Sequence, residues 1–216
     1  MKKKITSYGK IEEILNVISH GTGLVLSILA FILLMIRSLH FGSAVYLISS
    51  GVFGISLILL YSASTLYHSA KAGNRRQALQ IFDHAAIYVL IAGTYTPYSL
   101  ITLQGTTGWL IFAVIWICAL TGIILKLFFT GRYDVLSTIM YIIMGWIIIL
   151  AINPLKEHLT IEGVFLLFAG GIAYTLGAVI YGIKKIKFNH AVFHLFVLTG
   201  SICHFLSIYF YVLRIH

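Results

Sequence analysis

His68, Asp83, His190 and His194, together with Ser64, sit inside apolar stretches of the chain. Ionisable groups held within lipid-spanning segments are costly, so each is a functional candidate before any fold is considered. Three imidazoles and a carboxylate are also the donor set of a catalytic zinc. His190 and His194 are four residues apart, which on a helix places both rings on one face, about 6 Å apart along the axis and close enough to share an ion. Ser64 precedes His68 by the same interval, so its hydroxyl joins the site as an outer or substrate-facing group. Three neutral imidazoles leave a fourth zinc position for water, whose pKa the dication lowers to about 7. Asp83 is then the residue to hold that water and take its proton, and Ser64 a donor to the oxygen of an amide or ester carbonyl. Direct binding by Asp83 would instead close the metal site and make it a staple for the helices.

These residues depend on elements that bring distant segments together. Of the 216 residues 60% are apolar and 10% charged, and mean hydropathy is +0.99. Soluble domains carry about a quarter charged residues, so this composition indicates an integral membrane protein. Seven apolar stretches, at about 19 to 37, 44 to 67, 82 to 103, 109 to 128, 135 to 152, 161 to 183 and 190 to 213, approach the roughly 20 residues that a membrane-spanning helix needs. Barrel strands would be shorter and alternate with period two. The expected fold is all-α: a polytopic seven-transmembrane-helix bundle, one domain over 1–216, with 1–18 as a cytoplasmic N-terminal segment. The basic start resembles a signal peptide, but the run behind it is of spanning length, so no cleavage is expected. Cys118 and Cys203 each lie in an apolar run, without metal-motif spacing, and read as small core residues.

Lys2, Lys3, Lys4, Lys10, Lys71, Arg75, Arg76, Lys126, Arg132, Lys184, Lys185 and Lys187 fall on the N-terminal side of this topology. Arg37, Lys156 and Arg214 fall on the other. Twelve against three, in short loops, predicts a cytoplasmic N-terminus and an external C-terminus. The formal charge of +9 is thereby accounted for as a topology signal, and nucleic acid binding is not expected. With this threading the second segment ends at His68, the third begins at Asp83 in its first turn and the seventh begins at His190 and His194. All four meet near the cytoplasmic boundary.

Other polar positions have competing readings. Glu13, Asn16 and His20 share one face of the first helix at the level of the proposed site. They are either a polar helix start favoured by the helix dipole or outer groups facing the cavity. His84 points about 100° away from Asp83 and reads as interfacial. His204 lies roughly 21 Å beyond His190 along the helix, too far to share its ion; it is a polar partner in the bundle or part of a proton or substrate path. His40, His158 and His216 fall in loops or at the end. Ala169, Ala173 and Gly177 suggest a helix-packing seam. Pro97 should kink its helix and free a carbonyl that Thr94 could help satisfy. Trp109, Tyr133 and Tyr211 fit interfacial anchoring.

The strings EEILNVISHGTG from Glu12, SASTLYHSA around Ser64 and His68, IFDHAAIYVLIAGTYTP around Asp83 and HAVFH from His190 resemble the bacterial hemolysin III proteins, within the progestin and adipoQ receptor family. The resemblance runs from the first helix to the seventh, and that family looks related to the alkaline ceramidases. It implies Zn2+ held by His68, His190 and His194, with Asp83 reaching the metal through a water. Three functions follow as expectations. One is a zinc-dependent hydrolase of a lipid amide or ester, with membrane lipids as its surroundings and the bacterial inner membrane as its location. Another is the cytolysin or pore former that the family name implies, although seven all-round apolar helices offer no mechanism for a secreted toxin. The last is a zinc-stabilised sensor or regulator of membrane state without turnover.

Overall fold

A backbone surrounded by hydrocarbon has to satisfy its N–H and C=O groups within its own segment, and every apolar run here does so as a helix. A computed structural model describes residues 8–130, 134–183 and 185–214. The elements are α1 (Lys10–Leu39), α2 (Ala44–Ser69), α3 (Asn74–Pro97), α4 (Gly105–Phe129), α5 (Asp134–Trp146), α6 (Ile152–His158), α7 (Ile161–Gly182) and α8 (Asn189–Ser207). A π-helical turn, Tyr98–Leu103, prolongs α3; another, Ile208–Val212, prolongs α8. A 3-10 segment, Ile147–Ala151, joins α5 to α6. Among the described residues there are no strands, and seven spans are long and apolar enough to cross a membrane. The protein is a seven-span all-α membrane protein. Lys2, Lys3, Lys4, Arg132, Tyr133, Lys184 and His216 lie outside the described residues.

Two helices start earlier than hydropathy suggests. α1 begins at Lys10 rather than near 19, with Glu12 and Glu13 in its first turn, where carboxylates favour the positive end of the helix dipole. α3 begins at Asn74 rather than 82, so Asp83 stands in its third turn and not its first. In both cases the additional turns carry buried polar residues, Asn16 on α1 and Arg76 and Gln80 on α3, which a hydropathy window reads as loop.

α3 is the central helix, enclosed over most of its length, while the other spans keep broad lipid-facing sides. Phe128, Leu150 and Phe165 are among the large apolar side chains left outside, as expected where the solvent is itself apolar. The interior is built on Phe53, Tyr61, Tyr88, Ile115, Leu155 and Ile208. α1 packs beside α2 and α8, α2 beside α3, and α7 beside α8. The α7 seam differs from the expected one: Ala169 is half-buried at its side, and the close approaches fall at Gly170 and Gly177 against α8 and at Gly163 against Tyr211 of the π turn that prolongs it, with Ala173 also buried. A Cβ at Gly170 would meet the His204 ring at 2.3 Å.

Pro97 closes α3 and the chain continues as the π turn. The Thr94 hydroxyl donates to the Leu90 carbonyl at 2.8 Å, so it does not serve the Gly93 carbonyl that proline leaves free; a hydroxyl one residue beyond that carbonyl reaches back a full turn more easily. The π turn brings backbone against the start of α4, where a Cβ at Gly108 would lie 2.2 Å from the Ser99 carbonyl oxygen. Because a backbone atom cannot rotate aside, Gly108→Ala should destabilise the protein by about 1–3 kcal/mol. Thermal unfolding in detergent at the wild-type midpoint would contradict this packing. At the same end, Arg37 Nε donates to the Leu213 carbonyl at 2.6 Å and its guanidinium covers the Tyr209 ring at 4.5 Å, satisfying a carbonyl at the end of the last span.

Candidate metal centre

His68 lies one residue before the end of α2, and His190 and His194 lie in the first two turns of α8. Two spans precede the end of α2 and six precede the start of α8, and an even number of crossings returns both of these ends to the face from which α1 starts. The three histidines are buried, and one ligand nitrogen from each meets the others within 4.8 Å. His68 Nε2 and His190 Nε2 are 3.1 Å apart. Tetrahedral zinc with Zn–N distances of 2.0–2.1 Å sets its ligand nitrogens about 3.3 Å apart, so the trio is a possible metal site of suitable size.

The outer nitrogens support that reading through their partners. Glu13 Oε2 lies 2.7 Å from His68 Nδ1; a carboxylate only accepts, so the proton of His68 sits on Nδ1 and Nε2 carries a lone pair. The Asn16 amide is 3.3 Å from the same Nδ1, and the shorter, charged contact governs the tautomer. Ser19 Oγ donates to the Asn16 carbonyl at 3.1 Å and lies 3.3 Å from His194 Nδ1. With its proton committed, the hydroxyl accepts from His194, again leaving Nε2 free. Tyr8 is stacked on His190, with its hydroxyl 3.0 Å from Nδ1. Burial pushes the Tyr8 hydroxyl far above the usual phenol range, so it keeps its proton, and it is also hydrogen-bonded to Tyr181. Donation to Tyr181 leaves its lone pair for His190 Nδ1–H. Two facing lone pairs 3.1 Å apart are an arrangement that a shared cation would satisfy.

The structure brings the remaining sequence candidates to the same place. Asp83 and Ser64 are buried and line one cavity with His20, His190 and His194. Asp83 is not among the residues whose donor atoms form the tight cluster. Hydroxyls on α2 generally donate to a carbonyl one turn back, as Ser62 does to Ile58 and Thr65 to Tyr61; among the described residues buried Ser64 Oγ, like Ser49 Oγ, has no partner. Of Glu13, Asn16 and His20 only His20 lines the cavity, its ring stacked on His194 at 3.5 Å, while Glu13 and Asn16 contact His68 from behind. His84 also lines the cavity, rather than only the boundary. His204 is a bundle partner, its Nε2 donating to the Leu167 carbonyl at 3.0 Å.

Sequence reasoning did not single out Tyr8, Glu12 or Ser19. Glu12 Oε1 accepts from the backbone N–H of His190 at 3.2 Å, closing the exposed start of α8 in place of a local cap. The available signal was helical phase, since Ser19 follows Asn16 by three residues. Arg76, read only as a topology charge, is buried: it pairs with Glu13, donates to the Ala70 carbonyl and covers the Tyr67 ring.

The cavity runs from Ser64, Asp83 and His194 to Tyr98 and His204 between largely apolar walls. Ile91, Trp146 and Phe168 form part of those walls.

The chain matches the family described as Haemolysin-III related over residues 8–205, and it belongs to that family. It is 50% identical to Hemolysin-3 of Bacillus cereus over 210 residues, 97% of this chain and 95% of that protein. It is 47% identical to the Hemolysin-3 homolog of Bacillus subtilis (strain 168) over 204 residues, 94% of this chain and 96% of the relative. More distantly, it is 30% identical to the human monocyte to macrophage differentiation factor over 173 residues, 77% of this chain and 71% of the human protein. No solved structure matches significantly.

Proposed function

We propose that the protein is a zinc-dependent hydrolase of a lipid amide or ester, working at the cytoplasmic side of the bacterial inner membrane. The observation that carries this reading is a cluster of three imidazoles of which two, His190 and His194, line an apolar cavity together with the Ser64 hydroxyl, which has no partner among the described residues, and the Asp83 carboxylate. His68, His190 and His194 would hold the ion through Nε2, and Asp83 would meet it through a water. When bound, zinc supplies a readily deprotonated water and a polarising contact for the carbonyl oxygen. Asp83 would accept a proton from the attacking water as the new C–O bond forms and return it to the leaving nitrogen or oxygen as the old bond breaks. Ser64 donates to the carbonyl oxygen as it gains charge. The acyl chain lies along the apolar walls, which position it and exclude water.

The cytoplasmic placement rests on the lysines and arginines. Lys10, Lys71, Arg75, Arg76, Lys126, Lys185 and Lys187 lie toward the face that holds the histidines, and Arg37, Lys156 and Arg214 toward the other.

The test is zinc analysis of purified protein followed by a screen of lipid amides and esters in mixed micelles. Wild type should release fatty acid from one of these classes, and Ser64→Ala should lose about a hundredfold in kcat with its zinc intact. Absence of metal from protein purified without chelator would overturn the reading. A cytolytic reading rests on the printed name of the Bacillus cereus relative; lysis of erythrocytes by protein that turns over none of these lipids would favour it.

A further inference from the structure

We propose that α1, with Tyr8 just before it, is the positioning shell of the metal centre. It contributes no ligand to the trio, yet Glu13, Tyr8 and Ser19 each hold the outer nitrogen of a different ligand imidazole, and so set the affinity of a site whose ligands belong to α2 and α8. The inference rests on the metal reading above.

The geometry for this is complete for all three rings. Glu13 contacts His68 Nδ1 at 2.7 Å, Tyr8 contacts His190 Nδ1 at 3.0 Å and Ser19 contacts His194 Nδ1 at 3.3 Å. Glu13, Asn16, Ser19 and His20 occupy about 120° of one helix face at 100° per residue, so one rigid surface presents the partners of His68 and His194, and Tyr8, two residues before the helix, presents that of His190. Glu13 is itself held in place: one carboxylate oxygen meets His68 and the other meets buried Arg76. Glu12 fixes the first turn of α8 through the His190 N–H. His20, stacked on His194, limits rotation of that ring.

Outer partners of metal-bound imidazoles fix the tautomer and raise ligand basicity, and their loss typically costs 10–100-fold in affinity. A charged acceptor at the shorter distance should matter more than a neutral hydroxyl at the longer one. Glu13 is therefore the principal positioning residue and Ser19 a lesser one.

The experiment is a zinc titration of the detergent-solubilised full chain against a chromophoric chelator, with metal-free thermal midpoints measured in parallel. Glu13→Gln should weaken zinc binding 10–100-fold, Ser19→Ala by less, and Arg76→Gln, which loosens α1 from α3 but leaves the Glu13–His68 contact, by less than Glu13→Gln. Wild-type affinity in Glu13→Gln would overturn the inference. Equal losses in Arg76→Gln and Glu13→Gln would also overturn it, because helix docking would then suffice. If Glu13→Gln does not fold, Ser19→Ala decides: weaker zinc binding at an unchanged metal-free midpoint supports the shell, and unaltered binding rejects it. A wild type that takes up no zinc defeats the metal reading as well, whereas tight wild-type binding with indifferent variants defeats only this inference.

Discussion

Protein carrying His194→Ala is expected to lose its zinc and, with it, the whole of the zinc-dependent rise in thermal stability. His194 is buried and its ring stands between His20 and the other two ligands. Two imidazoles cannot complete a three-histidine site, and the trio spans α2 and α8, so a metal held there would tie together helices distant in sequence. An ion that binds only the folded chain adds about 4 kcal/mol when its free concentration is a thousand times Kd. Alanine also removes packing, so the informative quantity is the difference between midpoints with zinc and with chelator in each protein. Wild type should show a large difference and His194→Ala none. One zinc per chain in the variant, or a zinc-dependent rise in the variant's midpoint as large as that of the wild type, would reject the trio as the metal site.

Asp83→Asn should separate chemistry from assembly. The amide nearly matches the carboxylate in shape but cannot take a proton, and Asp83 stands outside the three-donor cluster. The variant should therefore keep one zinc per chain and its thermal midpoint while hydrolysis of the lipid amide or ester falls by about 10²–10⁴-fold, the usual contribution of a positioned base. Turnover at the wild-type rate would remove Asp83 from the mechanism. Loss of zinc would make Asp83 a fourth ligand and the site a closed staple.

Much of this architecture is a local property of the chain. Apolar run lengths dictate seven helices, and HAVFH places His190 and His194 on one face because each helical residue turns the same 100° whatever surrounds it. His68 and α8 arrive at one membrane face because each span reverses the direction of the last. Helix starts were less legible. The first turns of α1 and α3 carry Glu13, Asn16, Arg76 and Gln80, whose polarity is offset by partners or burial within the bundle rather than by neighbours in sequence.

The sequence by itself determined the class of protein, the count of spans and the identity of the three imidazoles. Tertiary structure decided how the helices are rotated against one another, and that rotation selects Glu13, Tyr8 and Ser19 as outer partners, leaves Ser64 without one and opens the cavity. The seam at Gly163, Gly170 and Gly177 rather than at Ala169 illustrates the reason. Helical periodicity ranks residues by face within one segment, but the face that meets a neighbour is fixed by side-chain fit across the interface, to which both helices contribute.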